Sequence, residues 1–303
     1  MRLDMLLRRA LLGAILLPLG ALQAQGTRQR VDTTFTFDRG GSVDLGLVSG
    51  EIRVLTGTGN EIRILATIER GRLETTFSRS RVSIEARSVN GRMGATRYEL
   101  TVPAGTRVTA STVSGDITVR GTGSEVDAHS VSGEIAIEDA NGVIELESVS
   151  GNIELTKASG RIDLSTVSGE MDLTDVSGDL EAESVSGSVI ARRARLRSFR
   201  TETVSGDVTY DGNFAADGDY RLNSHSGDVF LAIPSNGSAA LELETWSGNI
   251  SSDFPLTLQP GQDVGRRNRR MQFNIGAGGA RVSAETFSGN ITIRRAPARG
   301  TEE

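Results

Sequence analysis

The chain has 303 residues and a formal net charge of −6, with 36 glycines, no cysteine and only 4 % aromatic residues. The missing cysteines exclude disulfides, thiolate catalysis and cysteine-based metal sites, and the acidic balance gives no support for nucleic-acid binding. Many glycines with few aromatic residues favour short strands and turns over an ordinary globular enzyme. No phosphate loop or dinucleotide fingerprint occurs, so no cofactor is predicted.

The first 24 residues are typical of a signal peptide. Arg2, Arg8 and Arg9 form a basic start, residues 10–22 are mainly apolar, and Ala24 offers a small residue for cleavage. The apolar run is short for a transmembrane helix, although an uncleaved anchor is an alternative. We therefore expect a mature chain that is exported and is periplasmic, on the cell surface or secreted.

Residues 25–108 are rich in predicted strands but irregular. One clear repeat unit begins at Val48 and a degraded one at Val89, with a longer strand pattern at residues 61–66 between them. A repeat protein exposes an unpaired sheet edge at its first coil, which has to be covered. We therefore predict an N-terminal β capping region here.

A Val-Ser-Gly-Asp/Glu-Ile unit dominates residues 109–210, the predicted regular core. Strong copies recur every 18 residues, as at Gly133 and Gly151, and weaker copies fall halfway between them. The glycines that mark the units are Gly115, Gly133, Gly151, Gly160, Gly169, Gly178, Gly187, Gly206, Gly227, Gly248 and Gly289. A fixed internal period of this kind is the signature of a repeat architecture.

Each unit alternates apolar and polar residues with a period of two. Counted from the glycine, positions −2, +2 and +4 are apolar, as in Val149, Ile153 and Leu155. The pattern predicts a half-buried strand with all three apolar side chains inside. Two strands per 18-residue coil would let stacked coils bury these side chains at a repeat of about 4.8 Å. The predicted fold is all-β: a parallel β-solenoid (β-helix) of short two-strand coils with irregular β caps at both ends.

An antiparallel meander of nine-residue hairpins is the alternative fold. Near-identical units at a fixed register favour parallel stacking, and Ser-Gly stands at a strand start rather than in a two-residue hairpin loop. We interpret the pair as structural: the glycine takes a positive φ or lets the opposing sheet approach, and the serine hydroxyl bonds nearby backbone. A binding role is the less favoured alternative.

Residues 211–295 are predicted to form wider C-terminal coils and a cap. From Gly206 the spacing of the units lengthens to 21 residues and finally to 41. The last unit, around Gly289, is expected to close the fold. Residues 296–303 are expected to form a disordered tail.

Three larger side chains, His225, Trp246 and Phe287, replace the valine in these C-terminal units. We expect them to point inward, like the valines, and to fill a wider coil. No Ser-His-Asp triad is visible around His225, which we interpret as a packed residue rather than a general base.

Stacked coils would align carboxylates in outward columns. The columns are Asp116, Glu134, Asn152 and Glu170; Glu154 and Asp172; and Glu145, Asp163 and Glu181. A solvated face is the simplest interpretation, since like charges at this spacing repel by only about 0.9 kcal/mol in water. Weak calcium binding by Asp116, Glu134 and Glu170 is the sharper alternative. Glycosidase chemistry is disfavoured because the columns form an open surface without a cleft.

Two arginine clusters interrupt the pattern. They are Arg192, Arg193, Arg195, Arg197 and Arg200, and Arg266, Arg267, Arg269 and Arg270. The first lies in an irregular 19-residue interval between Gly187 and Gly206. A solvated face is the simplest interpretation, and contact with an anionic envelope polymer, lipid headgroups or a partner is the functional one.

The signal peptide, the serial Val-Ser-Gly units and a C-terminal pattern that runs from Trp246 to Leu256 and returns at Phe287 are distinctive together. With them the chain resembles, over most of residues 31–295, a bacterial putative-adhesin family of unknown function with β-strand repeats. The resemblance implies a β-solenoid-like fold at the cell envelope and supplies no catalytic residues.

We therefore predict an exported, non-enzymatic protein that acts as an adhesin-like structural or interaction module at the cell envelope. An envelope-stress or regulatory binding protein of the same fold is the first alternative. A β-helix carbohydrate-active enzyme is the second, although such enzymes usually have longer coils with catalytic side loops. The expected partner is an envelope polymer, a membrane surface or a protein, and not a nucleic acid.

Overall fold

The computed structural model describes residues 28–235, 237–255, 257–258 and 270–296. Every regular element in these residues is a β-strand, and none is a helix able to cross a membrane. The predicted signal peptide and residues 297–303 of the predicted tail lie outside the described residues. Ala296 is buried, and its N–H donates to the Ile233 carbonyl at 2.8 Å.

The described residues form 24 strands, numbered here in chain order. Strands β1 to β7 are Gln29–Thr36, Ser42–Gly57, Glu61–Ile68, Arg72–Phe77, Arg81–Arg87, Thr96–Pro103 and Arg107–Arg120. Strands β8 to β16 are Val126–Ser130, Ile135–Glu138, Asn141–Ser148, Ile153–Thr156, Ser159–Thr166, Met171–Thr174, Ser177–Ser184, Val189–Ser205 and Val208–Gly212. Strands β17 to β24 are Asp219–Ser226, Val229–Ile233, Ala239–Thr245, Ile250–Ser252, Thr257–Leu258, Arg270–Ile275, Ala280–Thr286 and Ile291–Arg295.

The central strands pair in parallel and form two ladders. The first ladder runs β7–β9–β11–β13–β15–β16–β18. The second runs β7–β8–β10–β12–β14–β15–β17. Ile153 pairs with Ile135 and Met171, each 18 residues away, which confirms the predicted parallel stacking at that period. We call a segment that gives one strand to each ladder a coil.

The core lies along the inner sides of both ladders. Ile153 and Leu155 of the first ladder and Ile144 and Leu146 of the second are completely buried in one continuous apolar cluster. Burial of an aliphatic side chain of this size stabilises the fold by about 1.5–3 kcal/mol. A single short strand cannot bury its apolar side alone, so stacking the coils supplies the core.

The valine of the strong Val-Ser-Gly copies lies outside this core, so its predicted inward position is wrong there, whereas Val176 of a weaker copy is buried as predicted. Val149 is 47 % exposed, whereas the residue before it, Ser148, is 5 % exposed and points inward. The strand of the second ladder ends at that inward residue, and the chain turns before the next strand begins at Ile153. The alternation of the strand is therefore reset within the corner and does not run through it.

The glycines of this corner are required by the close approach of successive coils. A Cβ atom on Gly151 would lie 1.9 Å from the carbonyl oxygen of Gly133, and one on Gly133 would lie 2.1 Å from that of Gly115. These glycines do not take a left-handed φ, and they face the preceding coil rather than the opposing sheet. At these strong copies the structural interpretation of Ser-Gly is supported by a contact that neither predicted explanation contained, whereas Gly160 and Gly178 of the weaker copies take the predicted positive φ, at 120° and 110°.

The order of the coils in space departs from chain order at both ends. Strands β5 and β6 stack on the outer side of β2, while β7 stacks on its inner side. At the other end β23 lies between β17 and β19, and β24 pairs with both β18 and β20.

The unit around Gly289 is therefore next to last in space, and the prediction that it closes the fold is wrong. The antiparallel strand β22 covers the outer side of β19 instead. An outermost parallel strand has an unpaired edge, and the chain covers that edge with β22 before returning to insert β23 and β24. Antiparallel pairs between described strands occur only at the two ends.

Candidate functional site

The Val-Ser-Gly corner forms a continuous exposed edge along the molecule, which we call the valine edge. In spatial order its side chains are Val48, Val113, Val131, Val149, Val167, Val185, Val204, His225, Phe287 and Trp246. The apolar members range from 43 % exposed at Val48 to 54 % at Trp246. Nine intervals of one strand spacing give an edge about 43 Å long.

Three aromatic rings continue the valine edge at its C-terminal end. The ring of Phe287 stacks on that of His225 at 4.9 Å between centroids and on that of Trp246 at 5.9 Å, with interplanar angles of 8° and 12°. The three rings align because the coil of Phe287 inserts between the coils of the other two. Their predicted inward position is wrong for the same reason as that of the valines.

A row of inward serines and threonines supports the valine edge from below. The row, which lies three residues before each glycine, is Thr112, Ser130, Ser148, Thr166, Ser184, Thr203, Ser224, Thr286 and Thr245. The hydroxyl of Thr286 donates to the Gly227 carbonyl at 2.9 Å, and that of Thr245 donates to the Gly289 carbonyl at 2.8 Å.

This inward row was missed by the sequence analysis, which gave the hydroxyl contact to the serine of Ser-Gly. That serine is exposed, as at Ser150. The sequence does contain the pattern that predicts this row, because a serine or threonine occupies the inward position in every unit from Gly115 onward that belongs to this corner. The outward position of the valine hid it, since a strict period of two assigned the neighbouring residue to the surface.

The first of two carboxylate rows lies on the side of the valine edge that faces the first ladder. We call it the first acid row; its members are Asp116, Glu134, Glu170, Asp207 and Asp228. Asp116 Oδ1 accepts a hydrogen bond from the Glu134 N–H at 3.0 Å, and Asp207 Oδ1 accepts one from the Asp228 N–H at 2.8 Å. These carboxylates therefore connect neighbouring coils, and the predicted column of Asp116, Glu134 and Glu170 is present.

The calcium interpretation of this column gains no support from its geometry. In the described part of the chain no group of three or more histidine, aspartate or glutamate side chains converges on a point that could hold a metal ion. Each carboxylate belongs to a different coil and points outward from a nearly straight row.

The second acid row lies on the other side of the valine edge, toward the second ladder. Its members are Glu147, Glu183, Glu202, Glu285 and Glu244. Glu147 lies 3.0 Å from Nδ1 of His129, and the charge of Arg270 acts on Glu244 and Glu285. Within the described residues, Glu183 and Glu202 and all five members of the first acid row are without an ion-pair partner. The valine edge therefore lies between two rows of carboxylates.

The first arginine cluster lies on β15, where the 19-residue interval is absorbed by two irregularities. The register skips Arg197 against β14 and Arg193 against β16. Arg193 makes two hydrogen bonds to Asp175, of 2.9 and 2.7 Å. That bonding lowers the pKa of the Asp175 carboxyl below its usual value.

The remaining arginines of this cluster divide into paired and unpaired side chains. Arg192 pairs with Asp172 at 2.5 Å, and Arg197 pairs with Asp179. Arg195 and Arg200 are exposed and make no ion pair with another described residue. Any contact of this cluster with an anion is therefore concentrated on those two guanidinium groups.

Only one member of the second arginine cluster can be placed. Arg270 opens β22 and pairs with Glu242, and hydrogen bonds from Arg270 and then Gln272 lower the pKa of that carboxyl. Arg266, Arg267 and Arg269 lie outside the described residues.

The concavities on the surface are open, and the one with the largest volume among them contains charges that neutralise one another. A groove of about 590 Å³ near the N-terminal end is lined by Arg97, Glu51 and Glu69, among others. Arg97 lies 3.2 Å from Glu51. This arrangement is a set of surface ion pairs rather than a group of side chains that converge on a reacting atom.

Comparison with known proteins gives one family and several distant structures. A family model described as Toastrack DUF4097 matches residues 66–294. No functionally curated protein matches the chain.

Three solved structures show how low the similarity to known structures is. A putative adhesin from Bacteroides fragilis is 10 % identical over 89 % of this chain and 100 % of its own, with a TM-score of 0.42. A putative cell adhesion protein from Clostridium sporogenes is 7 % identical over 88 % and 100 %, with a TM-score of 0.27. A putative lipid binding protein from Parabacteroides distasonis is 13 % identical over 88 % and 97 %, with a TM-score of 0.34. Similarity at this level transfers neither a ligand nor a site to this chain.

Proposed function

Because the chain belongs to the Toastrack DUF4097 family, we propose that it is a non-catalytic, adhesin-like interaction module that binds a partner at the cell envelope through the valine edge. We further propose that its body is a parallel β-solenoid of short two-strand coils. The 18-residue register of the two ladders and their single shared core support that description.

The valine edge is the observation that carries the proposal. Soluble proteins rarely expose contiguous apolar surface unless it binds something. A polar side chain at this outward position would touch nothing in the core, yet the chain places valine there in seven coils and an aromatic ring in three more. About half of each of these side chains stays exposed to solvent, and binding of a partner accounts for that exposed apolar surface.

The arrangement of the carboxylates supports a role without catalysis. They stand in rows on open strands, and several of them pair with arginines of a neighbouring coil, as Asp175 does with Arg193. General acid–base catalysis needs groups that reach one substrate atom together. A polysaccharide screen in which the purified protein releases new reducing ends or unsaturated products would contradict this part of the proposal.

Export is a separate part of the proposal and rests on residues 1–24. The basic start, the apolar segment and the small residues before Gln25 support a cleaved signal peptide. N-terminal sequencing of the protein recovered from the cell envelope or the medium is expected to begin at Gln25. A chain that retains Arg2 and remains in the cytoplasm would contradict export.

The binding role is tested by a pull-down from envelope extract with matched variants. The edge variant carries Val131→Ser, Val149→Ser and Val167→Ser, and the control variant carries Lys157→Ser on the opposite side of the coil. We expect the wild type and the control to recover the same partner and the edge variant to lose it. Equal recovery by all three proteins, or no reproducible partner for any, would contradict the proposal. An envelope-stress or regulatory role would use the same edge and is distinguished by the identity of the partner.

A further inference from the structure

We propose that the partner of the valine edge is a basic polypeptide segment in an extended conformation, in which lysine or arginine alternates with apolar residues. This inference rests on the proposed function, since it takes the valine edge as the binding surface. It adds the charge and the form of the partner.

The carboxylates beside the valine edge follow the coils one by one. From Glu134 onward the charge changes sides with each coil: Glu134 belongs to the first acid row, Glu147 to the second, Glu170 to the first and Glu183 to the second. The next coil carries Glu202 and Asp207, one on each side. Each coil of this stretch therefore presents at least one negative charge beside its exposed valine.

The arginines of the same coils do not neutralise this edge. They lie away from the valines. Arg161, Arg192, Arg193 and Arg197 pair there with other carboxylates, whereas Arg195 and Arg200 make no ion pair with another described residue. Arg161 lies 3.0 Å from Asp163, and Arg192 lies 2.5 Å from Asp172. Among the described residues of these coils, only His129 faces the edge as a basic group, where it contacts Glu147. The edge thus combines exposed apolar side chains with a net negative charge on both sides.

The shape of the edge favours an extended chain over other ligands of positive charge. The stretch from Val113 to Val204 spans five strand spacings, about 24 Å, and is only one side chain wide. An extended polypeptide of about seven residues covers that length, with side chains that alternate between two sides. Its apolar side chains would lie on the valines. Its lysine or arginine side chains leave the backbone on the other side and are long enough to bend back toward the acid rows.

The same features disfavour the other partners that an envelope offers. An anionic lipid surface or anionic polymer would be repelled by both acid rows. A sugar ring stacks on the exposed face of an aromatic ring, but the faces of Phe287 are turned toward His225 and Trp246. The edge therefore fits a basic protein segment better than a membrane or a glycan.

The test measures the binding of fluorescent ten-residue peptides by anisotropy at low and moderate salt. The probes are a Lys-Val repeat, a Glu-Val repeat and a Lys-Ser repeat. The acid variant carries Glu134→Gln, Glu170→Gln and Glu183→Gln. A control variant removes the same charge from exposed strand positions away from the edge: Glu145→Gln, Glu154→Gln and Glu181→Gln. Equal circular dichroism spectra and melting temperatures establish that each variant is folded.

We expect the wild type to bind the Lys-Val peptide, to ignore the Glu-Val peptide and to bind the Lys-Ser peptide several-fold more weakly. The Kd for the Lys-Val peptide is expected to rise about tenfold in the acid variant, which corresponds to about 1.4 kcal/mol, and less than twofold in the control variant. The difference is expected to shrink as salt increases.

Equal weakening in the two charge variants would overturn the inference, because it would show general attraction between a basic peptide and an acidic protein. Absence of Lys-Val binding would also overturn it. If the envelope pull-down still recovers a partner that depends on the valine edge, the proposed function stands and only the basic character of the partner is wrong. If neither experiment shows dependence on the edge, both fail.

Discussion

The two corners of a coil both turn the chain from one ladder to the other, but they do so with different backbone conformations and side chains. At the corner opposite the valine edge, which we call the opposite corner, the backbone takes a left-handed φ in Gly121, Asp139, Lys157, Asp175 and Arg193, with values from 51° to 81°. Its charges pair, as Arg193 does with Asp175. At the valine edge the glycines from Gly115 onward stack in contact without a left-handed φ, whereas Gly50 beside Val48 has a φ of 137°. The valines of this edge are exposed, and most of its carboxylates have no cationic partner within the described residues.

The two corners therefore differ in which of their groups are paired within the fold and which remain available to bind a partner. Both corners recur in every regular coil, so both are compatible with stacking. The opposite corner satisfies its charges within the fold. The valine edge leaves about half of each valine side chain exposed, together with carboxylates that have no cationic partner among the described residues, and these groups remain available to a partner.

Loss of the glycine stack is the largest effect that the comparison predicts. In Gly151→Ala the new Cβ atom would lie 1.9 Å from the Gly133 carbonyl oxygen, and two backbones cannot separate without breaking the ladder. We expect destabilisation of at least about 3 kcal/mol, or failure to fold. The control is Gly123→Ala, whose Cβ atom would lie 3.6 Å from the Asn141 side chain and which should change stability by about 0.5 kcal/mol or less. Urea unfolding measures both, and equal effects would contradict the account of the stack.

The inward hydroxyl row predicts a smaller effect with an internal control. Thr286→Val removes the hydrogen bond to the Gly227 carbonyl and should cost about 1–2 kcal/mol of unfolding free energy. Thr166 occupies the same position in another coil, but its buried hydroxyl has no hydrogen-bond partner among the residues that the structure describes. Thr166→Val should therefore be neutral or stabilising. Thermal unfolding of the two variants distinguishes them, and equal destabilisation would show that the row does not act through these hydrogen bonds.

The first arginine cluster contains both paired and unpaired guanidinium groups, so their contributions to anion binding can be compared. If this face contacts anionic lipid headgroups or polymer, Arg195→Gln with Arg200→Gln should weaken the binding of anionic vesicles by about fivefold at low salt, since a cation near such a surface contributes about 1 kcal/mol. Arg192→Gln with Arg197→Gln should have less effect, because both side chains are engaged by aspartates. Vesicle co-sedimentation at two salt concentrations measures this. Unchanged binding in both variants would remove the anion contact.

The ion pair at the opposite corner predicts the smallest effect. The hydrogen bond from Arg193 lowers the pKa of Asp175 in the folded chain. Its contribution to stability is therefore present above the usual aspartate pKa and is lost as pH falls through the folded value. Since the pair is partly exposed, we expect Asp175→Asn to cost less than about 1 kcal/mol at neutral pH and nothing at strongly acidic pH. Chemical unfolding across that range checks this, and a cost that grows on acidification would contradict the sign.

Much of the central fold follows from the sequence because its period is carried by backbone contacts. The 18-residue register and the carboxylate columns are specified by the glycines, since only glycine allows the approach seen between Gly133 and Gly151. The outward valine was not predictable from alternation, because the phase is reset inside the corner. The position of the Gly289 unit was also not predictable, since nearly equivalent units stack equally well in either order.

The candidate site was predictable only in pieces. Asp116, Glu134 and Glu170 were placed in one row from the sequence alone. That this row and the second one flank an exposed valine becomes visible only when the orientation of Val149 is known. The same error placed His225 and Phe287 inside the molecule and removed them from the surface to which they belong.

The most direct test of the valine edge uses the absence of cysteine from the chain, which makes single-site labelling clean. An environment-sensitive fluorophore is attached at Ser150→Cys on the valine edge or at Lys157→Cys on the opposite corner; both native side chains are exposed. Titration with the Lys-Val peptide is expected to produce a saturable change at position 150, with the Kd found by anisotropy, and none at position 157. Equal responses at both positions, or a response at position 157 alone, would contradict the claim that the valine edge is the binding surface.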